Sequence, residues 1–161
     1  MEANIRAAAE NRINPGTFII ARTDAREVYD LDEALRRGER YIRAGAEGLF
    51  IEAPVNIDEL EKIGQAFEVP QLANMLEGGR TPVLTPAELE RLGFRIVIYG
   101  ISLLMHAVQA MENVLAWLAR GKVDFAGKGV GFEDYKSIVG LEHWAAIEAR
   151  YQVLADQSKA D

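Results

Sequence analysis

Four short apolar runs recur along this chain, and each is followed by a helical pattern. They are TFIIA (17–21), EGLFIE (47–52), PQLAN (70–74) and RIVIY (95–99). TFIIA, short and rich in β-branched residues, reads as a strand buried on both faces, and the other three runs also read as strands. Three of the helices that follow carry capping-box spacing at their start: Asp30 with Glu33, Asn56 with Glu59, and Thr85 with Glu88, the last with Pro86 at the first helical position. Gly45, Gly93 and Gly121 stand where helices would stop. A first helix is expected over 2–12 and a long one over 102–119. A Gly-rich loop spans 121–131, two further helices cover 132–138 and 141–153, and a polar tail closes the chain. The organisation expected is four βα units over 1–121, a helical extension over 122–153 and the tail over 154–161. Strand–helix alternation at this spacing predicts an α/β fold with a parallel sheet, helices outside it, and every strand's C-terminal end on one side. Two architectures fit: a small doubly wound sheet, or half of an eightfold barrel. The first would carry a Gly-rich turn after its opening strand, but Arg22-Thr23-Asp24-Ala25 has no glycine there.

The chain has 161 residues, enough for one domain that buries its own core without covalent staples. It has no cysteine, which removes disulfides, thiolate metal sites and cysteine nucleophiles. Eighteen basic residues against 25 acidic ones give a net charge of −7, so a phosphate backbone is not the expected partner. The longest apolar stretch, 96–108, is interrupted by Gly100, Ser102 and His106 and is shorter than the about 20 residues that cross a bilayer. The amphipathic start MEANIRAAAENR is unlike a signal peptide. A soluble, cytoplasmic protein with neither nucleic-acid nor membrane partners is expected.

Polar residues interrupt the apolar runs at their C-terminal ends. Arg22 and Asp24 follow the first, Glu52 closes the second, Asn74 closes the third, and Tyr99 and Ser102 follow the fourth. Glu77, Gly78, Gly79, Arg80 and Thr81 extend the loop after Asn74. In parallel αβ folds this rim is where sites are built. A guanidinium, carboxylates and an amide converging there could grip a small acid, with Arg22 as a planar fork. Arg22 paired with Asp24 or Glu52 could equally be a structural ion pair between neighbouring strands. Glu77 and Arg80 read as a solvated loop pair. His106 and His143 lie alone in helices, and no pair of histidines has metal-binding spacing. The run from Gly121-Lys122 to Gly129 follows a helix and lacks the Ser/Thr of a phosphate loop, so it reads as a connection. Trp117 and Trp144 read as packing anchors.

IIARTDA (19–25), DEALRRGERYIRAGAEGLFIEAP (32–54), NMLEGGRTP (74–82) and LTPAELERLGFRIVIYG (84–100) resemble the isocitrate lyase/phosphoenolpyruvate mutase superfamily. The likeness runs over about residues 1–152. It is greatest to the branch of carboxyvinyl-carboxyphosphonate phosphorylmutases, oxaloacetate hydrolases and 2,3-dimethylmalate lyases. The resemblance implies a TIM-type (β/α)8 barrel that binds Mg²⁺ and cleaves a C–C or P–C bond of a small 2-oxo or 2-hydroxy acid through an enolate. Arg22 would hold a substrate carboxylate. Glu52 would order the metal's water shell or the substrate, and Asn74 would donate to a carboxylate. Asp24 would orient Arg22, with Glu77 and Ser102 in support. Leu76 stands where the isocitrate and methylisocitrate branches have a hydroxyl residue, which argues against those substrates. Gly100 replaces a proline common in this branch.

A complete barrel takes about 250 residues. The four units here resemble its strands five to eight plus the C-terminal helices, and Met1 matches an internal methionine. The family's metal-binding acids and its gating loop lie in the first half, so no direct metal ligand is expected in this chain. Such a chain should pair with itself or with a missing N-terminal half, and the family's habit implies a homo-oligomer. Two functions are therefore expected as alternatives: the C-terminal half of a Mg²⁺-dependent lyase or hydrolase, inactive alone, with P–C chemistry as the variant; or a non-catalytic half-barrel. Helix 141–153 carries Trp144, Ile147 and Tyr151 on one stripe, suited to a neighbouring subunit or to its own chain.

Overall fold

The structure, a computed structural model, describes residues 1–157. Two compact units divide within the long helix rather than at Gly121: one from Met1 to Met111, the other from Glu112 onward.

The first unit runs α1 (Glu2–Asn11), β1 (Ile20–Thr23), α2 (Ala25–Val28), α3 (Leu31–Arg43), β2 (Gly48–Ile51), α4 (Ile57–Gln65), β3 (Leu72–Asn74), α5 (Pro86–Leu92), β4 (Ile96–Ile98) and the start of α6 (Ser102–Ala119). β1 pairs with β2 in parallel, Ile20 opposite Gly48 through Thr23 opposite Ile51. β3 pairs with β4 in parallel, Leu72 opposite Ile96 through Asn74 opposite Ile98. A parallel bridge between Leu49 and Gln71, with Leu49 N–H donating to the Pro70 carbonyl at 3.0 Å, joins β2 to β3. The strands thus lie in chain order, β1-β2-β3-β4. An order that never reverses has no topological switch point, which removes the crevice where a doubly wound sheet binds a nucleotide.

Residues alternate between the two faces of a strand. Ala21, Leu49, Ile51 and Ala73 face the helices. Leu49 and Ala21 pack with Ile5, Tyr41, Ala44 and Ala46, while Ile51 and Ala73 pack with Leu60, Ile63, Met75, Leu89 and Phe94. Ile20, Arg22, Phe50, Leu72, Asn74, Ile96 and Ile98 project to the opposite face. Every residue of β2 is buried, whereas β1 is exposed at Ile20 and Arg22 and β4 at Ile98. Among the described residues, all buried side chains lie between Ile5 and Phe94, and none lies in α6 or α7.

α4 and the end of α5 touch backbone to backbone. A Cβ on Gly64 would lie 2.1 Å from the Leu92 carbonyl oxygen, and one on Gly93 would lie 2.3 Å from the Gly64 carbonyl oxygen. Gly93 also caps α5 in the left-handed region, φ 107°.

Several boundaries differ from the sequence reading. β1 begins at Ile20 rather than at residue 17, and so takes in Arg22 and Thr23. Its ladder can start only where β2 starts. The Ile19 carbonyl accepts from Glu47 N–H and Gly48 N–H, and the chain before it has no partner strand. Only Thr85/Glu88 is a full capping box. Asp30 and Asn56 do accept from Glu33 N–H and Glu59 N–H, but the two glutamates turn to arginines instead of reaching back. A guanidinium is the stronger partner for a carboxylate. The short α2 had no signal in the sequence.

The second unit holds the rest of α6, α7 (Phe132–Ile138) and α8 (Leu141–Gln157). Trp117 stacks on Phe125 with ring centroids 6.0 Å apart, and Lys128 Nζ lies 5.4 Å from the Trp117 ring centre. Trp144, read as an anchor, is exposed, as is Tyr151 on the same stripe. α8 runs past the expected end at 153 to Gln157, and residues 158–161 of the polar tail lie outside the described residues. No helix among the described residues is long and apolar enough to cross a membrane.

Candidate active site

Arg22 is the third residue of β1 and points to the face away from the helices. Its register partner is Phe50, and its guanidinium carbon sits 4.9 Å from the Phe50 ring centre, a cation–π platform. Arg22 Nε donates to Asp24 Oδ1 at 2.9 Å, and Nη2 lies 2.8 Å from the same oxygen. Nη2 also stands 3.6 Å from Glu52 Oε2 on the neighbouring strand exit. The hydrogen bond to Asp24, then the charge of Glu52, raises the guanidinium pKa further above its ordinary value, against the opposing pull of burial.

Glu52 follows β2 directly, and its N–H donates to the Thr23 carbonyl at 3.0 Å, extending the β1–β2 ladder by one bond. Its side chain is only 21% exposed. Oε2 is buried without a hydrogen-bond partner, so its one recorded neighbour is the longer ion-pair contact to Arg22. The next residue, Ala53, has φ 62°, the left-handed region that alanine disfavours, and Pro54 follows it. This turn takes the chain off the strand immediately beyond Glu52.

Asn74 ends β3. Its Oδ1 is buried and unpartnered. A Cβ at Gly100 would lie 3.6 Å from that oxygen, so the exit of β4 passes close beside the amide. Ser102 opens α6, and its Oγ is likewise buried without a partner. Buried polar atoms are nearly always satisfied. Three of them, Glu52 Oε2, Asn74 Oδ1 and Ser102 Oγ, stand at the exits of three adjacent parallel strands.

Arg22, Glu52 and Asn74 are therefore brought to one end of the sheet, and Asp24 orients Arg22. Glu77 lies in the loop after β3, 3.9 Å from His106 Nε2. It does not pair with Arg80. That arginine reaches across to Glu27 at 2.9 Å, because the loop turns at Gly78 with φ 75°.

Three contributors were not foreseen in the sequence. Phe50 supplies the platform under Arg22, which follows from the register. Ala53 is strained, and nothing in its residue type shows it. A latch joins the first two strand exits: Arg26 donates through Nε and Nη2 to the two oxygens of Glu59, both at 2.7 Å, while Val55 N–H donates to Glu59 Oε2 at 3.0 Å. Arg26 holds the Glu59 carboxyl below its ordinary range. A groove of about 440 Å³ beside this latch is lined by Arg26, Tyr29, Asp30, Asn56 and Lys62. It shares no residue with the Arg22–Glu52–Asn74 cluster.

A resident Mg²⁺ needs six oxygens in a regular octahedron, usually with one or two carboxylates among them. Among the described residues no three acidic or histidine side chains gather as such a cage. Asp24 is turned to Arg22, and Glu52 offers one open oxygen, suited to a water of a hydrated ion rather than to anchoring the ion. The residues of this chain do not by themselves fit the metal.

The family described as phosphoenolpyruvate phosphomutase matches residues 1–119. The chain is 42% identical over 156 residues to 2,3-dimethylmalate lyase of Eubacterium barkeri, covering 94% of this chain and 53% of that protein. It is 42% identical over 100 residues to 2-methylisocitrate lyase of Bacillus subtilis, covering 62% of this chain and 33% of that protein. The crystal structure of a phosphonopyruvate hydrolase in complex with oxalate and Mg²⁺ superposes with a TM-score of 0.80 at 29% identity, covering 93% of this chain and 54% of that one. The chain spans about half the length of the dimethylmalate lyase and of the hydrolase. The chain belongs to the isocitrate lyase/phosphoenolpyruvate mutase superfamily.

Proposed function

We propose that this chain is the second half of a (β/α)8 barrel, strands five to eight with the C-terminal helices, and that it supplies the substrate-gripping rim of a carbon–carbon lyase or hydrolase. The substrate class is a small 2-oxo or 2-hydroxy dicarboxylic acid, and the cytoplasm is the expected setting. The observation that carries this reading is the placement of Arg22, Glu52 and Asn74 at neighbouring strand exits with Glu52 Oε2 and Asn74 Oδ1 buried and unpartnered.

Each side chain has a role that its geometry favours. Arg22 donates from Nη1 to a substrate carboxylate, held flat by Phe50 and fixed in rotation by Asp24. Asn74 donates through its amide N–H to a carboxylate, and its open oxygen accepts from a 2-hydroxyl group. Glu52 accepts from a substrate hydroxyl or from an ordered water. As the C–C bond breaks, negative charge gathers on the oxygens of the enolate fragment. A fixed cation and a fixed amide donor already aimed there stabilise that charge without reorganising. Glu77 and Ser102 stand in support, Ser102 with its unspent hydroxyl. The Mg²⁺ ligands belong to the half of the barrel not in this chain, so the chain alone is inactive.

The likeness to 2,3-dimethylmalate lyase over nearly the whole chain, and Leu76 in the NMLEGG segment, favour the dimethylmalate-type acids. The alternative chemistry is P–C cleavage of a phosphonate, favoured by the likeness to phosphonopyruvate hydrolase. The test is to co-fold the chain with the N-terminal half of the Eubacterium barkeri enzyme and assay dimethylmalate, oxaloacetate and phosphonopyruvate. We expect cleavage of a dicarboxylate, lost by about 100-fold or more in Arg22→Ala and by less than about threefold in Arg80→Ala. Equal losses refute the role of Arg22. Turnover by the isolated chain refutes its dependence on the other half.

A further inference from the structure

β2 and β3 part toward their exits. They meet at the Leu49–Gln71 bridge, and no ladder continues beyond it. Carrying that register three residues further sets Glu52 opposite Asn74, and both side chains lie on the face that carries Arg22 and Phe50. A small cavity lies at this parting. Its volume is about 10 Å³, counted as room for a water-sized sphere, which is the least that a single water needs. Glu52, Asn74 and Thr81 are the polar side chains in its lining, and the rest is apolar, Phe50, Leu72 and Met75 among it. Every lining residue lies between Phe50 and Phe94, so the cavity does not depend on any segment outside that stretch. Thr81 comes from the loop after β3. Pro82 confines it to extended backbone, and its hydroxyl makes no hydrogen bond among the described residues.

We infer that one ordered water sits between these three side chains, donating to Glu52 Oε2 and Asn74 Oδ1 and accepting from the Thr81 hydroxyl, and that Thr81 is thereby a positioning residue of the site. Glu52 Oε2 and Asn74 Oδ1 are both buried acceptors without a donor. Atoms in that state are normally satisfied by an ordered water where no protein group reaches them. The three groups match what a water offers: two O–H groups for two acceptors, and a lone pair for one hydroxyl. A water held between two acceptors spans about 5.5 Å, two hydrogen bonds end to end, which is close to the spacing of cross-strand neighbours. Held in this way, the Glu52 carboxylate and the Asn74 amide form one unit, and a ligand meets them already arranged instead of ordering them itself. The water follows from the cavity and the two orphaned acceptors, whereas its effect on catalysis rests on the reading proposed above.

The test is a high-resolution crystal structure of the full chain, together with Thr81→Val and Thr81→Ser assayed in the co-folded barrel described above. We expect one water within about 3.2 Å of Glu52 Oε2, Asn74 Oδ1 and Thr81 Oγ1. Thr81→Val keeps the shape and removes the hydroxyl. It should displace the water and lower kcat/KM about tenfold, while Thr81→Ser should keep the water and stay within about threefold of the parent. A dry cavity overturns the inference, and so does a water that does not touch Thr81 or that survives unmoved in Thr81→Val. Unchanged kcat/KM for Thr81→Val in an active barrel, or equal losses for the valine and serine variants, overturns the positioning role. If the co-folded barrel turns over none of the three acids, the proposed chemistry fails, and the electron density of the chain and of its Thr81→Val variant still decides whether the water is there.

Discussion

Replacing Gly64 by alanine sets two physical effects against each other. Gly64 lies one residue from the end of α4, where alanine is the better helix former by about 1 kcal/mol. Propensity alone therefore predicts a more stable protein. The structure predicts the reverse. The new methyl would lie 2.1 Å from the Leu92 carbonyl oxygen and 2.8 Å from its carbon. Both are backbone atoms, so no rotamer change relieves the clash. Restoring ordinary contact requires α4 and the end of α5 to part by about 1 Å, and a gap of that size forfeits a quarter to a half of each dispersion contact across it. The contacts at stake include Leu60, Ile63, Leu89 and Phe94, all nearly fully buried in one cluster. Overpacking of this kind costs about 1–3 kcal/mol and more when the backbone must move, so we expect a net loss of about 3 kcal/mol. That corresponds to a fall in Tm of about 6–12 °C for a chain of this size. Thermal unfolding followed by circular dichroism reads the difference. Gly38→Ala is the comparison: its methyl would meet the Phe67 ring at 2.7 Å, a side chain able to turn, and the loss should be smaller. An unchanged or raised Tm for Gly64→Ala would refute the backbone-contact argument.

Two other outcomes can be measured on the same chain. Glu59 is held below its ordinary pKa by Arg26, so its contribution is fully present above the usual value of 4.5 and drains away as pH falls through the lowered one. The fall in Tm between neutral pH and pH 3 should be shallower in Glu59→Gln, which should also cost about 1 kcal/mol at pH 7; parallel Tm–pH curves for the two proteins would contradict this. Ala53→Gly removes the cost of a left-handed alanine and should gain up to about 1 kcal/mol after glycine's extra chain entropy is counted. A clear drop in urea midpoint would show that the turn is held by something other than that strain.

The strand–helix alternation was legible because each βα unit announces itself locally, through a cap residue, an apolar run and a stop glycine. The rim was legible for a related reason. Arg22, Glu52 and Asn74 are polar residues set at the ends of runs that are otherwise apolar, and a parallel sheet sends all such ends to one side. What could not be read depends on partners far apart in sequence. Glu59 has capping-box spacing, yet Arg26, 33 residues away in the sequence, takes it. Arg80 looks like a partner for Glu77 but meets Glu27 instead. β1 is displaced toward Thr23 because β2, with which it pairs, starts at Gly48. The left-handed turn at Ala53 carries no mark in its own residue type, and the contact of Gly64 with Gly93 joins two elements whose spacing no periodicity encodes.

At the end of the strands opposite Arg22, Glu47 takes a hydrogen bond from Arg12 Nη1 at 2.7 Å and another from Ile19 N–H at 3.1 Å. Arg12 and Glu47 thus tie the end of α1 to the start of β1, while Glu52, Asn74 and Ser102 keep buried unpartnered atoms at the strand exits. The two ends can drift apart in evolution, and also in the laboratory. A library that randomises residues 76–83 while leaving Arg12, Glu47, Ile19 and the Asn56 cap of α4 alone would sample new ligand preferences on an undisturbed base, and variants from it should keep their melting behaviour as their selectivity changes.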